Sequence, residues 1–266
     1  MTIRETPPAG APCWVDLWTS DVAEARRFYG ELFGWTAEDP VAEFGGYFNF
    51  ERDGVRIAGA MGEMGDKGTD FFMEATDTWS IYFATPDIET AVAAAVAAGA
   101  TLEGQVMPVG DFGVQALLVD PTGAHLGFWQ PGTHPGFTVL DEPGAPSWFE
   151  LHTRDHDAAV AFYSSVLDLS VDAVGATDEF RYTTLNGPSA CGQVAGIMDA
   201  SAWLPDGAPP QWSIYWCVDG TDAAVERVVE LGGSLVTPAE DTPYGRIATV
   251  ADPMGAQFRL RTAPVA

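Results

Sequence analysis

Glu150-Leu151-His152 sets a carboxylate and an imidazole two residues apart, and in an extended strand that spacing turns both side chains to one face. A carboxylate so placed can orient an imidazole and tune it near neutral pH, as a general base requires. Arg259, in a strand-like run near the end of the chain, adds a cation suited to a developing enolate or phenolate. The expected catalytic set is therefore His152 as base, Glu150 as its orienting acid and Arg259 as anion stabiliser. A related pattern occurs earlier, in "PCWVDLWTSD", where Trp14, Asp16 and Trp18 share one parity.

The two stretches are copies. "PCWVDLWTSDVAEARRFYGELFGW" is echoed by "PSWFELHTRDHDAAVAFYSSVLDL" at an offset of 134 residues, pairing Trp14 with Trp148 and Asp16 with Glu150. "WSIYFAT" from Trp79 returns as "WSIYWCV" from Trp212, and "DPTGAHL" from Asp120 returns as "DPMGAQF" from Asp252. The chain thus divides into a module over residues 1–129, a Pro- and Gly-rich linker over 130–146 and a second module over 147–266. Within each module a plan of strand, helix and three strands occurs twice. Asp21 with Glu24 opens the first helix as a capping-box-like pair and Gly34 ends it; Asp87 opens the second and Gly99 closes it. Asp120-Pro121-Thr122-Gly123 and Asp252-Pro253-Met254-Gly255 read as turns between the last two strands of each module. "GEMGDKGTDFFMEATDT" and "DASAWLPDGAPPQ" read as the crossovers between half-modules. The fold class is α+β: two tandem modules, each of two βαβββ units forming an open curved mixed sheet.

Bulk composition narrows the partners. Twelve basic against thirty-eight acidic residues give a net charge of −26, which repels nucleic acid and anionic lipid alike. No apolar run is long enough to span a membrane and no targeting signal is read, so the cytoplasm is expected. Cys13, Cys191 and Cys217 are odd in number and lack CxxC spacing, against a disulfide framework or structural zinc. No phosphate loop, nucleophile elbow or dinucleotide fingerprint is present, and no cofactor is expected.

Four βαβββ units, an early helix ending in Phe28-Tyr29 or Phe162-Tyr163, and the Gly113–Gly123 and Gly245–Gly255 runs through "DPxG" together resemble the vicinal oxygen chelate superfamily, from about Pro12 to Leu260. That group includes glyoxalase I, extradiol dioxygenases and bleomycin-resistance proteins. The resemblance implies sheets curled into open barrels that hold ligand on the inner face, with metal ligands in some members on the first, fifth and eighth strands. Those positions carry Trp14, Ile81 and Gly127 here, and Trp148, Ile214 and Arg259 in the second module. None is an ordinary metal ligand, so no metal is expected.

Strand alternation then lines the first barrel with Trp14, Asp16, Trp18, Trp79, Ile81, Phe83, His125, Gly127 and Trp129, small Gly127 leaving space. The second would present Trp148, Glu150, His152, Trp212, Ile214, Trp216, Gln257 and Arg259. Tryptophan in a small barrel also serves as packing, and a half-buried carboxylate needs a partner such as Arg259. His134 in the linker and His156 at a helix start receive no role. Two functions stay open, beside a degenerate scaffold whose cavities are filled. One is metal-independent binding of a planar aromatic or hydrophobic small molecule. The other is a metal-free tailoring enzyme of hydroxylase, oxygenase, isomerase or lyase type, as the resemblance to glyoxalase-like proteins of natural-product pathways implies. The expected assembly is a monomer with its modules paired internally, or a weak homodimer.

Overall fold

The structure, a computed structural model, describes residues 6–65, 74–177, 180–188 and 191–262. Residues 66–73 of the first crossover lie outside them. The elements of the first module are β1 (Pro12–Trp18), α1 (Val22–Phe33), β2 (Thr36–Ala37), β3 (Phe48–Arg52), β4 (Val55–Met61), β5 (Thr78–Ala84), α2 (Ile88–Ala97), β6 (Thr101–Val109), β7 (Gly113–Val119) and β8 (His125–Pro131). Those of the second are β9 (Pro146–Thr153), α3 (His156–Val166), β10 (Ser170–Ala176), β11 (Arg181–Asn186), β12 (Gln193–Asp199), β13 (Gln211–Cys217), α4 (Thr221–Glu230), β14 (Ser234–Thr242), β15 (Gly245–Ala251) and β16 (Gln257–Thr262). They form two eight-stranded mixed sheets, ordered β2-β3-β4-β1-β5-β8-β7-β6 and β10-β11-β12-β9-β13-β16-β15-β14. The two orders are identical strand for strand, as the repeat requires. Among the described residues no helix is long and apolar enough to cross a membrane.

The local signals act as chemistry dictates. Asp21, Asp87 and Asp155 each accept a hydrogen bond from the backbone N–H three residues on, capping α1, α2 and α3. Gly34 takes the left-handed conformation that ends α1, at φ 72°. The Asp252 Oδ1 atom gathers the N–H groups of Met254, Gly255 and Ala256, and Asp120 Oδ1 gathers those of Thr122 and Ala124, so each "DPxG" turn is closed by its own aspartate.

Register decides which residues meet. β1 pairs with β5 antiparallel, setting Trp14 opposite Tyr82 and Asp16 opposite Ser80; β9 pairs with β13 likewise, setting Trp148 opposite Tyr215 and Glu150 opposite Ser213. Directly opposed residues share a sheet face. The face carrying Trp14 and Asp16 therefore carries Ser80 and Tyr82. Trp79, Ile81 and Phe83 point the other way, as do Trp212, Ile214 and Trp216.

This corrects the lining expected from alternation. Trp79, Ile81, Phe83, Trp212, Ile214 and Trp216 are buried in a core shared by the two modules, where Trp79 lies edge-on to Trp216 at 5.5 Å and Phe83 edge-on to Trp212 at 5.1 Å. They hold the modules together and line neither hollow.

Candidate functional site: the hollow of the second module

The face of the second sheet opposite the shared core carries a buried, charged hydrogen-bond network. Glu150 and His152 on β9 are 5% and 3% exposed. Glu150 Oε1 lies 2.7 Å from His152 Nε2 and accepts the Tyr215 hydroxyl at 2.6 Å. Arg259 Nη1 donates to the same Tyr215 hydroxyl at 2.9 Å and stands 3.8 Å from Glu150 Oε1. Trp148 Nε1 donates to the Tyr182 hydroxyl at 2.9 Å. Over the network the Trp203 ring meets His152 edge-on at 4.9 Å, held on a loop whose Leu204, Pro205 and Ala208 carbonyls accept from Arg154.

Burial alone would push the Glu150 carboxyl up. The hydrogen bond from His152, the Arg259 guanidinium and the Tyr215 hydroxyl more than offset that and hold it below the usual carboxylate range. Burial pushes the His152 imidazole down, against the raising pull of its bond to Glu150. The pair is thus a carboxylate accepting the Nε2–H of a neutral imidazole, whose Nδ1 makes no hydrogen bond among the described residues. Glu150, His152 and Arg259 meet as their spacing suggested. Gln257 is exposed at the start of β16.

The first module builds the same frame without the cation. Trp14 Nε1 donates to the Tyr47 hydroxyl at 2.9 Å, which donates to Asp16 Oδ1 at 2.8 Å. Gly127 occupies the position of Arg259, and it leaves no space: a Cβ there would meet the Tyr82 ring at 2.2 Å. Loss of hydration pushes the Asp16 carboxyl up to about 6, although hydrogen bonds from Tyr47, Tyr82 and Trp14 pull it back. His125 lies on the solvent rim, 68% exposed and paired with Glu103. Trp18 is half-buried, its Nε1 without a partner among the described residues.

His134 has a place that its linker position concealed. Its ring lies edge-on to Trp14 at 4.3 Å, and its carbonyl accepts the Trp129 Nε1–H at 2.9 Å. The linker covers this end of the first hollow, leaving Trp14 3% exposed, whereas Trp148 stays half-buried. Sequence reasoning also missed Tyr47, Tyr82, Tyr182 and Tyr215. For Tyr82 and Tyr215 the repeated "SxY" within "WSIYFAT" and "WSIYWCV" was the available signal, because its hydroxyls need partners that an apolar core does not supply. His156, by contrast, is buried at the start of α3 with neither ring nitrogen bonded among the described residues. A separate cleft of about 310 Å³ opens at the module junction, lined by Leu32, Phe33, Pro143, Val218, Ala223 and Arg227 among others, and shares no residue with either hollow.

The donors do not suit a divalent ion at the three positions inferred from resemblance. Ile81 and Ile214 face the core, so the fifth strands offer only Ser80 with Tyr82 and Ser213 with Tyr215 to the hollows. On the eighth strand Arg259 presents a cation where a carboxylate would be needed. No group of three His, Cys, Asp or Glu side chains suited to a metal occurs among the described residues.

Comparison with known proteins agrees with this architecture. The family described as "Glyoxalase-like domain" matches residues 13–127 and again 148–261. The chain is 33% identical over 267 residues to "Putative glyoxylase CFP32" of Mycobacterium tuberculosis (strain CDC 1551 / Oshkosh), covering 99% of each. It is 36% identical over 266 residues to "Anthracycline biosynthesis protein DnrV" of Streptomyces peucetius, covering 94% of this chain and 92% of that one. Among solved structures it superposes on a Mn(II)-bound glyoxalase from Novosphingobium aromaticivorans with a TM-score of 0.64 at 16% identity, over 96% of this chain and 82% of that one. The 2,3-dioxygenase LapB from Pseudomonas sp. KL28 gives a TM-score of 0.63 at 13% identity, over 98% and 94%. The repeated sheet, the doubled match and these relatives together place the chain in the glyoxalase-like family, as a tandem two-module protein of the vicinal oxygen chelate superfamily.

Proposed function

We propose that the second module binds a planar aromatic small molecule without a metal, and that the first module is its structural twin. The observation carrying this is the asymmetry between the hollows. Trp148 is half open beside a charged network, while Trp14 is covered by His134 and its hollow lacks the cation. An indole face of this kind suits a flat, partly apolar guest, and ordered polar groups around it fix orientation. The likeness to a protein named for anthracycline biosynthesis supports a guest from a natural-product pathway.

The test is a tryptophan-fluorescence titration of the purified chain with a panel of flat aromatic compounds, with and without EDTA. One saturable site per chain is expected, lost in Trp148→Ala, kept in Trp14→Ala and unmoved by EDTA. Two equivalent sites, or affinity abolished by EDTA, would overturn the proposal.

A second reading is favoured by the free Nδ1 of His152. A buried neutral imidazole, oriented through Nε2 by a carboxylate, is equipped to take a proton from a guest in a metal-free tailoring reaction. His152→Ala separates the two. A binder keeps its affinity within a few-fold, whereas a general-base enzyme loses about 10²–10⁴ in rate.

A further inference from the structure

Arg259 is only partly used by the protein. A guanidinium has two donor edges beyond its tip: the Nη1 side, cis to Cδ, and the side where the Nε–H and one Nη2–H run parallel. Nη1 is committed to the Tyr215 hydroxyl. Nε is buried without a partner, and Nη2 makes no hydrogen bond among the described residues. Glu150 does not saturate the cation either, since its contact is 3.8 Å and on the Nη1 side.

Elsewhere this chain shows what that parallel edge grips. Arg246 holds Asp222 through Nε at 2.7 Å and Nη2 at 2.8 Å. Arg27 holds Glu24 through the same two atoms. Two parallel N–H groups match the two oxygens of a carboxylate, and the bidentate pair is stronger and more directional than a bond to one carbonyl oxygen.

We infer that the guest of the second module is an aromatic carboxylate, its acid group gripped by the Nε/Nη2 edge of Arg259 and its ring directed toward Trp148. This rests on the reading of that hollow as a small-molecule site. Register supplies the dimensions: Tyr215 pairs with Trp148 on one side and with Arg259 on the other, so the three form a row across β9, β13 and β16. Two interstrand spacings make that row roughly 10 Å long, comparable with a two-ring aromatic acid. The Arg259 guanidinium lies 5.1 Å from the centre of the buried Tyr215 ring, a contact that holds the cation in place. The first module has the same row as Trp14, Tyr82 and Gly127, with no cation at its end. A net charge of −26 repels anions in general, so a preference for an acid over its neutral analogue can arise only from a local cation.

The test compares 2-naphthoate with 2-naphthamide, matched in shape and differing in charge, by fluorescence titration near neutral pH. The intact chain is expected to bind naphthoate about tenfold or more tightly than naphthamide. Arg259→Lys keeps a cation beside Glu150, so the fold is retained, but it has no parallel edge. It should lose most of that preference. Equal binding of the two probes by the intact chain overturns the carboxylate, as does a preference undiminished in Arg259→Lys. If that equal binding disappears in Trp148→Ala, the hollow remains a site and only its acid preference is wrong. Binding of neither probe overturns both.

Discussion

Asp16 and Glu150 occupy the same place in two copies of one frame, yet their acidities diverge. The difference lies at two positions, His152 where the first module has Trp18 and Arg259 where it has Gly127. His152 and then Arg259 favour the ionised form of Glu150, whereas Asp16 has hydroxyl and indole donors and no cation. A carboxyl whose folded value, about 6, lies above its ordinary 3.8 binds its proton more tightly in the folded chain. Its favourable contribution is complete below about pH 4 and is lost as pH rises through 6. Asp16→Asn keeps an oxygen for the Tyr47 hydroxyl and removes the charge. Urea unfolding should therefore find the variant more stable than the parent at pH 8, by about 1–3 kcal/mol, and close to it at pH 4. A variant less stable at pH 8 would show that ionised Asp16 is better paired than its contacts suggest.

At the scale of elements, glycines let the two frames close. Gly59 on β4 and Gly196 on β12 face the carboxylate strands, and a Cβ at either would fall 1.8–1.9 Å from the hydroxyl of Tyr47 or Tyr182. Neither tyrosine could then reach the indole it accepts from. Gly196→Ala is expected to lower stability by about 1–3 kcal/mol through that overlap and to weaken any guest that rests on Trp148. Thermal unfolding and the fluorescence titration measure both, and an unchanged pair of values would mean the Tyr182 ring swings clear at no cost. These contacts were invisible in the sequence, where Gly196 is an ordinary glycine in an apolar run. The repeat, the aspartate caps and the "DPxG" turns were legible because each is written in adjacent residues. Which face of β5 and β13 lines the hollow was not. Both strands are buried on both sides over most of their length, so alternation carries no exposed side to fix the sense, and bulky indoles suggested the wrong one. The contact of Glu150 with His152 was legible because residues two apart in a strand share a face, and that with Arg259 because a buried carboxylate needs a partner. His134 was missed because a linker's docking is set by tertiary packing alone.

Across the whole molecule, the repeated motifs interlock. Trp79 Nε1 donates to the Tyr29 hydroxyl at 3.1 Å, which donates to Asp252 Oδ2 in the other module at 3.0 Å. Trp212 Nε1 donates to the Tyr163 hydroxyl at 2.9 Å, which donates to Asp120 Oδ2 at 2.8 Å, back across the junction. The second tyrosine of each "FY" pair and the aspartate of each "DPxG" turn are thus halves of two reciprocal locks. Asp252 and Asp120 spend one oxygen on their own turn and the other on the opposite module. Since the core tryptophans of the fifth strands also meet there, neither module buries its convex face without the other. Tyr29→Phe leaves the Asp252 oxygen and the Trp79 N–H buried without the hydroxyl that joined them, a cost of about 1–3 kcal/mol, and Tyr163→Phe does the same on the other side. Because both locks serve one junction, either change should lower the urea midpoint of the whole chain in a single transition, seen identically by fluorescence and far-ultraviolet circular dichroism. Two separated transitions in Tyr29→Phe would mean that the modules fold independently, and midpoints equal to the parent's in both variants would mean that the apolar core alone joins them.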